Sequence, residues 1–224
     1  VDAIGKPLVI DSMTDNGPRG WWNDFDPTVM IDDDGTPWMS WGNGTCFLVK
    51  LKKNMVEFDG EIMVLPMENY VEGPWIYKRD GHYYNVYASM GEGRETISYA
   101  MAENIEGPWT YMGQLTGMAE DSFTIHPGVI DFKGRSYLFY HNSTLSLDGY
   151  GPATGRRSVC VDEMFYNEDG SICTDEETAN DIRYKALYEI GNMTLLTAKL
   201  NGELQNDSFM DKLKGKKIDG KICG

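Results

Sequence analysis

Three stretches of the chain align without gaps from a glycine onward: Gly35-Thr36-Pro37-Trp38-Met39-Ser40-Trp41, Gly81-His82-Tyr83-Tyr84-Asn85-Val86-Tyr87 and Gly134-Arg135-Ser136-Tyr137-Leu138-Phe139-Tyr140. Each stretch carries an aromatic residue three and six positions after its glycine. Self-similarity at a fixed period is the signature of a repeat architecture. Because these aromatics recur at equivalent positions, we expect them to pack within or between repeated sheets rather than to bind a ligand.

Each repeat is predicted to begin with a strand, a tight turn and a second strand. A proline stands seven or eight positions before each glycine, and a short apolar segment follows that proline. The turns contain Asp-Gly or Gly, which allow the positive φ angles of a hairpin. The glycines are 46 and 53 residues apart, a period that suits the four-stranded blade of a β-propeller. Further strands are predicted at 46–51, 96–102 and 158–164, with closing strands near 61–65 and 109–114.

We therefore assign residues 1–224 to a single, partial propeller domain with blades at 25–65, 72–115 and 126–172. Residues 173–224 are expected to form a C-terminal closing segment or tail. Within them, residues 175–190 suit a helix or an irregular segment equally well. The lysine-rich end, 212–221, is expected to be solvated and to have little organisation of its own.

The composition supports a globular all-β protein and argues against several partners. Of the 224 residues, 41% are hydrophobic and 12% aromatic, with 25 glycines, which is too apolar for a disordered chain and too glycine-rich for a helical bundle. A net charge of −15 lacks the basic footprint of a nucleic-acid-binding protein, so we expect no nucleic-acid partner. No apolar run approaches 18 residues, and we expect no membrane span.

The cysteines are predicted to be reduced thiols. None of the four falls in a C-x-x-C pair of the kind that binds zinc or cycles between redox states. The first ten residues also lack a charged segment followed by an apolar run. We therefore expect a cytoplasmic rather than a secreted protein.

Three chemically active side chains occupy equivalent positions in the repeats. Asp26 and His126 each precede a proline, and Glu72 precedes one by two positions. A pre-proline residue is expected to be extended. Because a propeller gathers the first strands of its blades around a central channel, we expect these two carboxylates and the imidazole to face one cavity. In any single blade such a group could simply cap a strand end, but recurrence in three blades favours a site.

The segments around these residues resemble the blade signatures of glycoside hydrolase family 43. The resemblance covers Phe25 to Gly170 and rests on Phe25-Asp26-Pro27-Thr28-Val29-Met30-Ile31-Asp32-Asp33-Asp34-Gly35, Glu72-Gly73-Pro74-Trp75-Ile76-Tyr77-Lys78-Arg79-Asp80-Gly81-His82-Tyr83-Tyr84 and Ile125-His126-Pro127-Gly128-Val129-Ile130. It implies a five-bladed propeller, of which this chain would contain about three to four blades. It also implies an inverting glycosidase, a β-xylosidase or α-L-arabinofuranosidase acting on xylo- or arabino-oligosaccharides.

The resemblance also implies a role for each residue. Glu72 matches the general acid, and Asp26 matches the carboxylate that orients this acid and tunes its pKa. Trp75 could supply an apolar wall or a substrate contact. His126 matches a histidine that helps to hold a hydrated calcium ion at the propeller centre, an ion that the chemistry itself does not require. Arg157 matches an arginine that reaches substrate hydroxyls, although Arg156 could hold this role instead.

The sequence departs from the family pattern in one important respect. An inverting glycosidase needs a second carboxylate to activate water, and no Asp upstream of Phe25 has the matching context. We therefore expect the propeller to be completed by a missing N-terminal segment or a second chain, and the isolated chain to be impaired in catalysis. A carbohydrate-binding propeller without turnover remains an alternative. An interaction propeller of the WD or kelch kind explains the repeats but not the three active side chains.

Overall fold

A computed structural model describes residues 24–144 and 157–174, together with two short strands at 216–218 and 221–223. Every regular element in these ranges is a β-strand, and the predicted all-β class is confirmed. The described residues include no helix long and apolar enough to cross a membrane. The chain divides into two compact units, 1–176 and 177–224. The segment 175–190, where a helix remained open, lies outside the described residues.

The first sheet is a four-stranded antiparallel meander. Its strands are β1 (Thr28–Ile31), β2 (Pro37–Trp41), β3 (Cys46–Lys50) and β4 (Met63–Leu65). Gly35, in the turn between β1 and β2, has a φ of 81°, a conformation that glycine adopts without steric cost. The strands predicted at 46–51 and 61–65 are therefore present, with small differences at their ends.

The second sheet has the same order and supplies most of the buried residues. It consists of β5 (Tyr70–Arg79), β6 (His82–Met90), β7 (Glu95–Ala102) and β8 (Thr110–Gln114). Asp80 and Gly81 join β5 to β6 with φ angles of 49° and 87°, as a two-residue hairpin turn with positive φ at both positions requires. The Asp-Gly signal in the sequence thus predicts this turn correctly.

The third sheet has three strands within the described residues. These are β9 (Gly128–Phe132), β10 (Arg135–Asn142) and β11 (Ser158–Met164), with β10 in the middle. Lys133 and Gly134 form the turn between β9 and β10, again with positive φ at both positions. The outer face of this sheet exposes apolar side chains: Ile130, Phe132, Phe139, Val159 and Val161.

The first strands of the three sheets are neighbours, because β5 contacts both β1 and β9. Two apolar cores fill the spaces between the sheets. The core between the first and second sheets includes Met30, Leu48, Ile76 and Tyr83. The core between the second and third sheets includes Tyr84, Val86, Ile97, Val129 and Leu138. Burying each of these larger side chains contributes roughly 1.5–3 kcal/mol.

The repeated aromatics pack as the sequence predicts. Trp41, Tyr84 and Tyr87 are at most 2% exposed. The other three, Trp38, Tyr137 and Tyr140, are half-buried. The ring of Tyr84 stacks on that of Tyr77 with centroids 4.8 Å apart. Such stacking stabilises the fold beyond the contribution of the buried apolar surface.

Ion pairs join the sheets at the end of β5 that lies far from Glu72. Lys78 Nζ lies 2.8 Å from Asp32 Oδ1 at the end of the first sheet. Arg79, the next residue, reaches Asp131 Oδ2 of the third sheet at 3.0 Å. Two consecutive cations on β5 therefore bridge to opposite neighbours.

The lysine-rich end of the chain is more organised than we expected. β12 (Lys216–Ile218) and β13 (Lys221–Cys223) pair antiparallel. The prediction of little organisation at 212–221 is wrong for these strands. The sequence contains the reason, because Asp219-Gly220 between two short lysine- and isoleucine-containing segments is a strong hairpin signal.

Three cysteines, Cys46, Cys160 and Cys173, are free thiols in the structure. Cys46 lies fully within the core between the first two sheets, where burial raises the pKa of its thiol to about 11. The Cys46 thiol therefore contributes to core packing and is not activated as a nucleophile.

Candidate active site

Asp26 lies two residues before β1, the first strand of the first sheet. Its φ is 51°, so the prediction of an extended pre-proline residue is wrong at this position. Aspartate tolerates the left-handed region better than most residues, and such strained conformations cluster at functional sites. Its Oδ2 atom is buried and has no hydrogen-bond partner among the described residues.

Glu72 lies on β5 at an irregularity of the sheet. The pairing of β5 with β6 shifts register on both sides of Glu72. Gly73, the next residue, has a φ of 60°, and Pro74 has no backbone N–H to give to the ladder. Bulges of this kind re-aim side chains next to active sites. Here the carboxyl group of Glu72 receives a hydrogen bond from Asn43 Nδ2 at 2.6 Å.

His126 directly precedes Pro127 and lies just before β9. Its Nε2 atom lies 2.8 Å from Glu72 Oε1 and 3.7 Å from Asp26 Oδ2. The imidazole ring packs against Gly73, where a Cβ atom would lie 3.2 Å from His126 Nδ1. Glycine at this position thus serves both the left-handed φ and the close approach of the ring.

The structure brings together the three side chains that the repeat positions single out. One ligand-type atom from each of Asp26, Glu72 and His126 lies within 4.8 Å of the others. Their side chains are 30%, 15% and 25% exposed, respectively. The site is therefore a shared, largely desolvated group with an opening to solvent, not three separate strand caps.

Burial and neighbouring charges act against each other in this group. Burial raises the pKa of Asp26, and the charge of Glu72 raises it further, while His126 and Arg157 only partly offset these effects. Burial lowers the pKa of His126, but its hydrogen bond with Glu72 and the charges of Asp26 and Glu72 outweigh this and raise it overall. The group thus favours a protonated imidazole and disfavours two negative charges side by side.

Arg157 and Trp75 lie around this group rather than within it. Arg157 is exposed, and its charge is felt by both Asp26 and His141. Arg156 lies outside the described residues. Trp75 is 36% exposed, and its Nε1 donates to the carbonyl of Val129 on β9 at 3.0 Å. The indole therefore connects β5 of the second sheet to β9 of the third sheet.

Sequence patterns did not reveal two further residues of the site. Asn43, in the turn between β2 and β3, bonds directly to Glu72. His141 on β10 is 7% exposed and lies with its ring centroid 6.1 Å from that of His126. Burial, Arg157 and His126 all lower the pKa of His141, so it is favoured as the neutral imidazole. A possible signal for Asn43 was its place between two glycines in a hairpin turn.

The three central side chains do not fit a directly bound calcium ion. Calcium takes six to eight oxygen ligands at about 2.3–2.6 Å. Here two carboxylates are available, and the imidazole nitrogen that faces them is engaged by Glu72. Direct coordination by His126 Nε2 would break that hydrogen bond.

A carboxylate pair at the inner strands of a β-propeller is the arrangement of a propeller glycoside hydrolase. The chain belongs to the glycosyl hydrolases family 43, whose family model matches residues 11–172. The matched range begins at residue 11, whereas the resemblance read from the sequence begins at Phe25. Members of this family are glycoside hydrolases, and the solved structures that the chain matches are five-bladed β-propellers.

Curated relatives cover several activities. The chain is 29% identical over 193 residues to a β-D-galactofuranosidase of Aspergillus niger, covering 83% of this chain and 54% of that protein. It is 30% identical over 196 residues to an arabinoxylan arabinofuranohydrolase of Paenibacillus polymyxa, covering 76% of this chain and 31% of that protein. The chain thus spans about half or less of the length of these relatives.

Solved structures of the same family are similar to this chain. An α-L-arabinofuranosidase of Clostridium thermocellum superposes with a TM-score of 0.61 at 30% identity, covering 75% of this chain and 57% of that one. A β-xylosidase/α-arabinofuranosidase from a compost metagenome, in a calcium-free form with xylotriose, gives a TM-score of 0.61 at 26% identity, covering 68% and 58%.

Proposed function

We propose that this chain carries the acid-bearing part of the active site of a glycosidase that acts on xylan- or arabinan-derived substrates with inversion at the anomeric carbon. The observation that carries this proposal is the convergence of Asp26, Glu72 and His126 from three sheets within 4.8 Å. Membership of the family and the names of the relatives support the substrate class.

Glu72 is the proposed general acid, which protonates the departing glycosidic oxygen. Its side chain is 15% exposed, so a substrate can reach it while most bulk water is excluded. His126 is hydrogen-bonded to Oε1 of Glu72 and Asn43 to Oε2, and together these contacts fix the plane of the carboxyl group. Correctly placed general acids contribute typically about 10²–10⁴ in rate.

Asp26 is the proposed electrostatic partner of Glu72. Its negative charge opposes a second negative charge on Glu72 and so favours the protonated acid. The oxygens of these carboxyl groups lie within 4.8 Å, whereas an inverting pair is separated by about 6.5–9.5 Å to admit a water. Asp26 is therefore too close to Glu72 to serve as the general base.

The proposed inverting reaction requires a general base besides Glu72 and Asp26. Asp2, Asp11 and Asp15 precede the segment that begins at Phe25, and they lie outside the described residues. If Asp26 acted instead as a nucleophile on the same sugar, the product would retain its anomeric configuration. The stereochemistry of the first product thus distinguishes these two roles of Asp26.

Arg157 and Trp75 are the proposed substrate contacts at the rim. Arg157 is exposed beside Asp26, and its guanidinium can donate several hydrogen bonds to sugar hydroxyls. Trp75 presents a partly exposed indole face on β5, three residues beyond Glu72. A calcium ion near His126, if one binds, would be held through water and takes no part in the proposed proton transfer.

Turnover of aryl α-L-arabinofuranosides and aryl β-D-xylosides tests the proposal. Glu72→Gln should lower kcat about 10²–10⁴-fold for a phenyl leaving group and far less for 2,4-dinitrophenyl, which needs no acid. Glu103→Gln is the matched control, because Glu103 pairs with His82 at the periphery of the second sheet. Proton NMR of the first-formed anomer should show inversion.

Three outcomes would contradict this proposal. Retention of configuration would make Asp26 a nucleophile. Binding of xylo- or arabino-oligosaccharides without any turnover, in the chain and in longer forms that contain it, would favour the carbohydrate-binding alternative. Equal losses in Glu72→Gln for both leaving groups would remove Glu72 from the role of acid.

A further inference from the structure

We propose that Asn43 is a positioning residue that holds the Glu72 carboxyl group in the orientation needed for proton transfer. This inference rests on the proposed role of Glu72 as the acid. Asn43 lies in the turn between β2 and β3 of the first sheet, 29 residues before Glu72. Neither the family match nor the names of the relatives assign it a role.

The contact between the two side chains is short and shielded. Asn43 Nδ2 donates to Glu72 Oε2 at 2.6 Å, and Asn43 is 4% exposed. His126 addresses the other oxygen, Oε1, at 2.8 Å. With one partner on each oxygen, rotation of the carboxyl group about its own axis is restricted, as proton transfer to a fixed leaving group requires.

The backbone of the Asn43 turn is hydrogen-bonded to the residues that directly precede Asp26 and Glu72. Gly42 N–H donates to the carbonyl of Phe25, the residue before Asp26, at 2.9 Å. Gly44 N–H donates to the carbonyl of Val71, the residue before Glu72, at 2.6 Å. The turn therefore fixes the spacing between Asp26 and Glu72 as well as the place of Asn43.

The glycines on either side of Asn43 make this placement possible. Gly42 has a φ of 133°, and a Cβ there would lie 1.9 Å from the carbonyl oxygen of Thr45. Gly44 has a φ of 74°. The carbonyl of Gly42 also accepts a hydrogen bond from the hydroxyl of Tyr70, at 2.9 Å. The Asn43 backbone is thus held in one conformation by its neighbours.

An amide suits both protonation states of an acid. Its NH₂ group donates to an ionised carboxylate, and after a half-turn its carbonyl accepts from a protonated carboxyl group. Asn43 Oδ1 is buried and has no hydrogen-bond partner among the described residues. It therefore gives up no other hydrogen bond when the amide turns. Leucine would offer neither contact, and aspartate would place a like charge against Glu72.

Asn85 provides a matched control. It is also buried, with an amide oxygen that lacks a partner in the described part of the chain. Its Nδ2 donates to Cys46 Sγ in the core, at 3.6 Å, rather than to a carboxylate. A loss that comes merely from removing a buried amide should therefore appear in Asn85→Ala as well as in Asn43→Ala.

A double-mutant cycle with two leaving groups tests this proposal in the full chain. We expect Asn43→Ala to lower kcat about 10–100-fold for phenyl glycosides, in line with the loss of a hydrogen bond to a charged group, and far less for 2,4-dinitrophenyl glycosides. In a Glu72→Ala background, Asn43→Ala should cause no further loss, because it acts through Glu72. Asn85→Ala should show no dependence on the leaving group.

Crystal structures of Asn43→Ala and Asn43→Ser provide a second measurement that needs no turnover. We expect the Glu72 side chain to leave its present rotamer or to occupy more than one in Asn43→Ala. An unchanged Glu72 rotamer in both variants, or an equal additional loss in the Glu72→Ala background, would overturn the proposal. If neither the wild-type chain nor longer forms that contain it turn over any glycoside, the proposed function fails, and the crystal structures alone decide the role of Asn43.

Discussion

His126 and Glu72 are 54 residues apart in the chain, yet His126 Nε2 lies 2.8 Å from Glu72 Oε1. The two residues belong to different sheets, whose first strands β5 and β9 are neighbours. Gly73 makes the approach possible because it has no side chain to displace the imidazole. The central contact of the site therefore depends on how the second and third sheets pack.

The first prediction concerns Asp26→Asn. Loss of the negative charge beside Glu72 should let Glu72 give up its proton at a lower pH, so the alkaline limb of the kcat profile should move to lower pH. The pH dependence of aryl arabinofuranoside hydrolysis measures this. Asp24→Asn is the control. Asp24 is a neighbouring aspartate that also precedes β1, but its carboxylate accepts a hydrogen bond from the indole of Trp41. An alkaline limb that stays in place would remove Asp26 from the tuning role.

The second prediction concerns the stability contributed by His126. Its pKa is raised in the folded protein, so its protonated form stabilises the fold below the unfolded value of about 6.5. This contribution should disappear as the pH rises through the folded pKa. We expect the free-energy difference of unfolding between wild type and His126→Gln to be larger at pH 6 than at pH 9, measured by urea titration. The opposite trend would mean that the imidazole is neutral in the fold.

The third prediction separates backbone strain from crowding at Gly73. Gly73→Ala should cost about 1–2 kcal/mol for its left-handed φ, and more because the new Cβ would crowd His126. Gly81→Ala has a similar φ of 87° but open space around it. Urea unfolding should therefore show the larger loss in Gly73→Ala, and only this variant should lose activity. Equal losses in both variants would show that the ring contact contributes nothing.

The fourth prediction concerns the ion pair of Asp32 and Lys78. Burial raises the pKa of Asp32, but hydrogen bonds from Lys78 and Tyr83 lower it overall. The ionised carboxylate of Asp32 therefore stabilises the fold above its unfolded pKa of about 4. This contribution is lost as the pH falls through the pKa of Asp32 in the folded protein. Asp32→Asn should lower Tm by about 2–4 °C at pH 7 and by less near pH 3.

Asp33 provides the control for this ion pair. Asp33 Oδ2 also lies 2.9 Å from Lys78 Nζ, but its side chain is 84% exposed. Solvent screens such a contact, so Asp33→Asn should change Tm less than Asp32→Asn at pH 7. Calorimetry at both pH values measures these differences. Equal effects of the two substitutions would show that burial of Asp32 does not matter.

The fifth prediction concerns calcium. Because the site carboxylates and His126 do not fit direct coordination, chelation with EDTA should leave kcat of the wild type unchanged within about twofold. Turnover before and after chelation, with calcium added back, measures this. Loss of turnover that calcium restores would show that an ion supports the proposed acid.

The sequence predicted the strands and turns because their signals are local. An apolar segment after a proline, an Asp-Gly or Gly turn and paired aromatics act within about ten residues. The strand predicted at 158–164 has the same bounds in the structure, Ser158–Met164, so these local signals were sufficient to place it. Equivalence of the repeats then placed Asp26, Glu72 and His126 at the starts of neighbouring strands, which was enough to predict that they share a cavity.

The tertiary structure alone decided how these side chains meet. The register shifts around Glu72, the left-handed φ of Asp26 and the direction of the Trp75 indole depend on how neighbouring sheets pack, which no local pattern encodes. Asn43 shows this most clearly. In the sequence it is a polar residue in a glycine turn, and only the packing of the first sheet beside the second places its amide 2.6 Å from the acid.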